Sequence, residues 1–132
     1  MYNFLHAKHQ YAKGDIILTI GIQACGPSDP RRIQIGESVY VLPPAVIKHS
    51  CEPNAYIDWR EMTLKAIQAI QAGEYITYHY GTSEEDYSIG AFDCTCGLNN
   101  CVRHFRGFRY MNAEQRNRIK DRISHYLFKK YY

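Results

Sequence analysis

Over the first two thirds of the chain, apolar residues come in short runs cut by glycine, proline and polar pairs, a pattern of short strands rather than long helices. Residues 15–20 read as a strand entered through the turn at Lys13-Gly14, and residues 26–30 as a loop. A second strand is predicted over 37–42, stopped by Pro43-Pro44 because proline cannot donate to a ladder. Residues 55–59 and 62–66 read as a hairpin turning at Arg60-Glu61. Ala72-Gly73 marks a turn before 75–80, a run rich in aromatic and β-branched residues, and 81–87 reads as a polar, acidic loop. The period then changes. Ile119, Ile123, Tyr126 and Leu127 fall at i, i+4, i+7 and i+8, one stripe of a helix, with Asn112 and Gln115 as N-cap and capping-box partner. Arg116, Arg118, Lys120 and Arg122 occupy the opposite face. Strands followed by one late helix predict a mainly β, α+β fold.

At 132 residues the chain holds one domain, and no repeat or linker divides it. A composition 45% hydrophobic and 22% charged argues against disorder. Twelve tyrosines suit half-buried strands or a site lined with rings. The net charge of +3 is too mild to argue for nucleic acid, and the basic helix face reads as solvated surface. No apolar run approaches the length of a membrane span, and MYNFLHAKHQ lacks the apolar core of a secretory signal, so the expected location is intracellular, cytoplasm or nucleus.

The cysteines change the picture most. Five is an odd number, which disfavours a paired disulfide framework. Cys94, Cys96 and Cys101 put three thiols within eight residues, and Gly97 permits the tight turn between them. Zinc takes four soft ligands in a tetrahedron, so the cluster reads as three of four, with Cys51, Cys25 and His104 as candidates for the last.

Three motifs then carry a resemblance. His49-Ser50-Cys51-Glu52-Pro53-Asn54 resembles the first signature of SET-domain protein-lysine methyltransferases. Gly73-Glu74-Tyr75-Ile76-Thr77-Tyr78-His79-Tyr80 resembles their second, and Cys94-Thr95-Cys96-Gly97 followed by Cys101 resembles their post-SET zinc motif. Ala7, Tyr11, Lys13, Gly14, Asp15 and Ile16 are similar to the stretch after the family's first glycine-rich turn. The resemblance covers nearly the whole chain and is closest to short members.

The resemblance implies a SET-like β-clip fold of small sheets with a knot-like active-site region and a C-terminal helix. It divides the chain into a SET-like part (1–91), a post-SET zinc segment (92–109) and an amphipathic helix (110–132). It implies methyl transfer from S-adenosylmethionine to a lysine of a protein or peptide substrate, with histones as candidates. It makes Tyr80 the active-site tyrosine and Tyr78 the position that tunes product methylation, here toward monomethylation. His49, Lys48, Ser50 and Ala7 would contact the cofactor, Phe92, Phe105 and Phe108 would wall the lysine channel, and Cys51 would join Cys94, Cys96 and Cys101 on Zn2+.

Some residues depart from the pattern. Tyr2, Asn3 and Phe4 stand where the family has its glycine turn, Lys48 stands for asparagine, Tyr75 for glutamate and His79 for aspartate. Positive charge at Lys48 faces the cofactor's ammonium and sulfonium, an unfavourable arrangement. These departures define the alternative of a non-catalytic, zinc-stabilised binding module with weak or no cofactor binding.

Overall fold

A computed structural model describes residues 3–21 and 23–132; Tyr2, one of the glycine-turn positions, lies outside them. The strands are β1 (Ile16–Thr19), β2 (Ala24–Cys25), β3 (Ile33–Gly36), β4 (Val39–Val41), β5 (Lys48–His49), β6 (Ala55–Asp58), β7 (Thr63–Ala66), β8 (Thr77–Tyr78), β9 (Phe92–Asp93) and β10 (His104–Phe105). Two short helices follow, α1 (Ala113–Ile119) and α2 (His125–Tyr131). The strands form small antiparallel sheets, β1-β7-β6, β2-β4-β3 and β10-β9, and one parallel pair, β5-β8. The mainly β class expected from the strand pattern is the one found, and the fold is SET-like.

The predicted hairpin is present as β6–β7, one residue shorter on each side, because Asp58 bends the chain early: its Oδ1 accepts from the backbone N–H groups of Arg60 and Glu61. The 75–80 strand is cut to β8, and a 3₁₀ turn follows at Tyr80–Thr82, capped by His79 Nδ1, which accepts from Gly81 N at 3.0 Å. The polar stretch 81–87 is not a solvated loop. Thr82, Ser83, Glu84 and Glu85 are buried, with Glu84 only 1% exposed, since partners distant in sequence take up its polar groups.

The predicted continuous C-terminal helix is two helices. Its capping box at Asn112 and Gln115 forms as expected. The chain leaves the α conformation at Ile119 and becomes extended at Ile123, and Ser124 opens α2 by accepting from Leu127 N. Ser124 N donates to Thr82 O and Trp59 Nε1 donates to Arg122 O, so tertiary hydrogen bonds replace the helical ones at the break. The apolar stripe survives it: Ile119, Ile123 and Leu127 are buried.

Two apolar cores result. One gathers Ile20, Ile33, Ile47, Ala55, Leu64, Ile70 and Ile76; the other gathers Cys51, Cys101, Phe105, Phe108, Ile119 and Leu127. Tyr80 packs against both and so sits at their junction.

Candidate active site and cysteine cluster

The first two motifs meet along the parallel pair β5–β8, where Lys48 faces Thr77 and His49 faces Tyr78. Asn54 clasps them: its Nδ2 donates to Tyr75 O at 2.8 Å, its Oδ1 accepts from Thr77 N at 2.9 Å, and its own N–H donates to Thr77 Oγ1 at 3.1 Å. One side chain thus satisfies the groups left open where the strands end.

Tyr80 stands beside this clasp. Its hydroxyl donates to Ile47 O at 2.5 Å and its backbone N–H donates to His49 Nδ1 at 3.1 Å. Burial, with Tyr87 and Glu84 nearby, pushes the Tyr80 hydroxyl above its ordinary pKa, so it is a neutral phenol at physiological pH. With its proton committed to Ile47, the oxygen offers only lone pairs to an incoming group. Tyr78 is 3% exposed, with its hydroxyl 3.1 Å from Ser83 Oγ. Burial also raises this hydroxyl's pKa. His49 is held neutral, its pKa taken down to about 3 by burial and by His79.

Two cavities open here. One, about 320 Å³, is lined by Phe4, Val46, Tyr80, Tyr87 and Phe92 among others; the second, about 450 Å³, by Ser50, Cys51, Tyr75, Asp93 and Cys96 among others. Lys48, His49 and Phe92 line both. Their combined space and mixed apolar and polar walls suit a nucleoside-sized molecule. The Lys48 ammonium lies 4.9 Å from the centre of the Tyr75 ring, so two of the departing residues contact each other.

The remaining expected site residues divide. Ser50 lines the second cavity, its Oγ accepting from Glu52 N. Ala7 is buried in the first core and lines neither cavity. Phe105, expected as a channel wall, is buried and lines neither cavity; it stacks on His49 with ring centres 5.7 Å apart. Phe108 is fully buried against Tyr131 and the Arg116 guanidinium, away from both cavities.

The four cysteines expected at the metal come together: the Sγ atoms of Cys51, Cys94, Cys96 and Cys101 all lie within 4.8 Å of one another. A tetrahedral zinc with Zn–S bonds of about 2.3 Å needs sulfurs about 3.8 Å apart. Cys51 and Cys94 are 3.7 Å apart. Val102 N donates to Cys51 Sγ and Arg103 N to Cys101 Sγ, bonds that favour thiolates. The Arg103 bond is the largest of the influences that take the Cys101 thiol down to about 7, whereas burial raises Cys51 and Cys94. The donor set and spacing fit zinc. Cys25 is outside this group, and the exposed His104 bonds to Asp93 instead.

A buried ion pair supports the site and has no local sequence signal. Arg32 Nε donates to Glu84 Oε1 at 2.9 Å, with side chains 3% and 1% exposed and the partners 52 residues apart. Arg32 also donates to Pro27 O and Asp86 O, and Glu84 Oε2 accepts from Gln34 N.

The basic helix face is engaged within the protein. Arg116 lies over Phe108 and Tyr131, Lys120 over Tyr132 and Arg122 over Tyr56, while Arg118 pairs with Glu114. No helix among the described residues is long and apolar enough to cross a membrane.

Small sheets, a tyrosine clipped between two motifs and an adjoining cysteine cluster are the features of a SET-like fold. Residues 23–81 match the SET domain family. Over 65 residues it is 37% identical to a histone-lysine N-methyltransferase, H3 lysine-36 specific, of Chaetomium globosum, covering 45% of this chain and 7% of that protein. The Candida albicans protein of that name is 36% identical over 67 residues, 46% of this chain and 8% of its own length. Histone-lysine N-methyltransferase trithorax of Drosophila virilis is 34% identical over 64 residues, 44% of this chain and 2% of its own. The chain thus spans less than a tenth of the length of these relatives.

Proposed function

We propose that this chain is a protein-lysine methyltransferase domain that uses S-adenosylmethionine and acts on a lysine of a nuclear protein, with histones as the first candidates. The observation that carries this reading is Tyr80: a neutral phenol whose proton is given to Ile47 O, leaving an acceptor on the wall of the cavity. When bound, the cofactor supplies an electrophilic methyl group on a sulfonium.

The chain's own residues supply the rest. A lysine amine must lose its proton to attack, although its ordinary pKa is about 10.4. The apolar wall of Phe4, Val46, Tyr87 and Phe92 penalises the ammonium and lowers that value. Tyr80 Oη accepts an N–H of the neutral amine and aims its lone pair, so positioning accounts for most of the rate. The resemblance makes Tyr78 the position that tunes product methylation, toward monomethylation; its hydroxyl lies 3.1 Å from Ser83 Oγ, and its side chain lines neither cavity. Cys51, Cys94, Cys96 and Cys101 hold a structural zinc that contributes folding energy and pins segment 92–109 beside the cleft. The supporting relatives are those that carry histone-lysine methyltransferase names over the matched segment.

The test is transfer of labelled methyl from S-adenosylmethionine to histones and histone peptides by zinc-loaded protein, beside a Tyr80→Phe variant. Transfer that falls at least tenfold in the variant is expected. No transfer by folded, zinc-loaded wild type to histones, peptides or lysate proteins overturns the reading. Lys48, exposed at the cleft, favours the second reading of a binding module with weak cofactor affinity. A calorimetric titration with cofactor and with its demethylated product separates the two.

A further inference from the structure

We infer that His49 is a positioning residue that couples the cysteine cluster to Tyr80, so that the metal centre holds the reactive tyrosine in place through one imidazole. The inference rests on reading the cysteine cluster as a metal site and does not depend on the methyl-transfer assay.

The hydrogen-bond directions settle the state of the ring. Nδ1 lies 3.1 Å from Tyr80 N. An amide N–H only donates, so Nδ1 must present a lone pair. A neutral imidazole carries one proton, which therefore sits on Nε2, 3.3 Å from Cys51 Sγ, and Nε2–H donates to the sulfur. A metal-bound thiolate is a stronger acceptor than a thiol, so metal loading tightens the bond at the far end of the ring. The same bookkeeping excludes a second metal between His49, Cys51 and His79, although their ligand atoms lie within 4.8 Å of one another. His79 Nδ1 accepts from Gly81 N, so its Nε2 also carries a proton, and neither Nε2 has a lone pair to give.

The ring cannot easily leave this position. Phe105 is stacked on it, and the His79, Tyr80 and Phe92 rings lie 4.8, 5.3 and 5.3 Å from it. Turned over, it would present C–H groups to both the sulfur and the Tyr80 amide. Tyr80 is thus clipped twice to one short segment, by its amide to His49 and by its hydroxyl to Ile47 O. Cys51, two residues beyond His49, ties that segment to the other cysteines.

The experiment replaces zinc with cadmium-113 and records the nitrogen-15 and proton spectra of the full chain. An unprotonated Nδ1, a protonated Nε2 and a scalar coupling between cadmium and the Nε2 proton of His49 are expected. Two variants divide the functions of the ring. His49→Gln places an amide near the Nε2 position; it should keep metal affinity within a few-fold of wild type, shift the Tyr80 amide resonance and lower kcat with KM unchanged. His49→Asn places an acceptor near the Nδ1 position; it should keep the Tyr80 amide resonance while metal affinity falls about 10- to 100-fold, the usual effect of losing a ligand's hydrogen-bond partner. A protonated Nδ1, no coupling in protein that holds cadmium, or variants that lose both properties together would overturn the inference. The spectra decide it even if the protein transfers no methyl group.

Discussion

Removing the Arg32 side chain tests whether the buried ion pair supports the site. In Arg32→Ala the Glu84 carboxylate, 1% exposed, keeps its bond from Gln34 N but loses its counter-charge. Pro27 O and Asp86 O lose their donor, and the Tyr40 ring loses the guanidinium 4.3 Å from its centre. Breaking one side of such a pair costs about 3–5 kcal/mol, most of it from the uncompensated buried charge. Burial already pushes the Glu84 carboxyl above its ordinary pKa, against the pull of Gln34, Ser83 and Arg32.

The assay is urea unfolding of zinc-loaded protein, followed by the fluorescence of the single tryptophan, Trp59, whose indole bonds to Arg122 O. The expected loss is a large share of the roughly 5–15 kcal/mol typical of a domain. Arg32→Lys keeps the charge but not the fork that reaches three acceptors, and should fall between. The double variant Arg32→Met/Glu84→Leu should recover most of the loss, because apolar replacement of a whole buried pair is often neutral. A loss below about 1 kcal/mol in Arg32→Ala, or a double variant worse than the single one, refutes the reasoning.

Other expectations can be measured on the same protein. Elemental analysis of wild type should give about one metal per chain, which Cys94→Ser should release while lowering the unfolding midpoint sharply; freshly purified wild type without metal rules the site out. Glu85 is raised by burial, but Lys130, Tyr126 and Tyr131 outweigh this and take its pKa to about 2. A depressed carboxylate contributes stability above its unfolded pKa, so this part is lost as pH falls from about 4.5 toward 2, and Glu85→Gln should flatten the curve there. Burial takes His79 down to about 4, so the unfolded chain binds its proton first. Stability should therefore already fall as pH drops from about 6.5 toward 4, and His79→Asn, which keeps an acceptor for Gly81 N, should reduce that slope, the remainder coming from His49, which is also held neutral. Thr63 Oγ1 is buried with no hydrogen-bond partner among the described residues, so Thr63→Val should stabilise by up to about 1 kcal/mol in urea unfolding. A Cβ at Gly107, where φ is +125°, would lie 2.3 Å from Glu85 O, so Gly107→Ala should cost several kcal/mol and displace Glu85.

Local chemistry made much of this legible in the sequence. Asp58 and the turn it closes, the capping box at Asn112 and the stripe through Ile119, Ile123 and Leu127 are set by residues within a turn of each other. The cysteine spacing and the two motifs carried the site in the same way. What escaped depends on partners distant in sequence. The polar run at 81–87 reads as surface until Arg32 and Gln34 arrive from β3 to satisfy it. The helix break at Ile119 needs Thr82 O and the Trp59 indole to take over hydrogen bonds that a continuous helix would have made internally. Phe108 looked like a channel wall because it sits near the cysteines, yet the helices behind it claimed it.

The departures from the family pattern also read differently in three dimensions. Taken singly, Lys48 is a misplaced charge and Tyr75 a missing carboxylate. Together they form a contact, the ammonium 4.9 Å from the ring centre, which holds the charge at the cleft mouth. His79 stands where the family has an acid, but it caps the turn after Tyr80 through Nδ1, and burial keeps it neutral. A buried polar atom left without a partner is costly. Among the described residues the buried side-chain atom in that state is Thr63 Oγ1, on β7, which lines neither cavity. The buried side-chain polar atoms around the cleft therefore have partners with Lys48, Tyr75 and His79 in place, and Tyr80 is held there at both its hydroxyl and its amide.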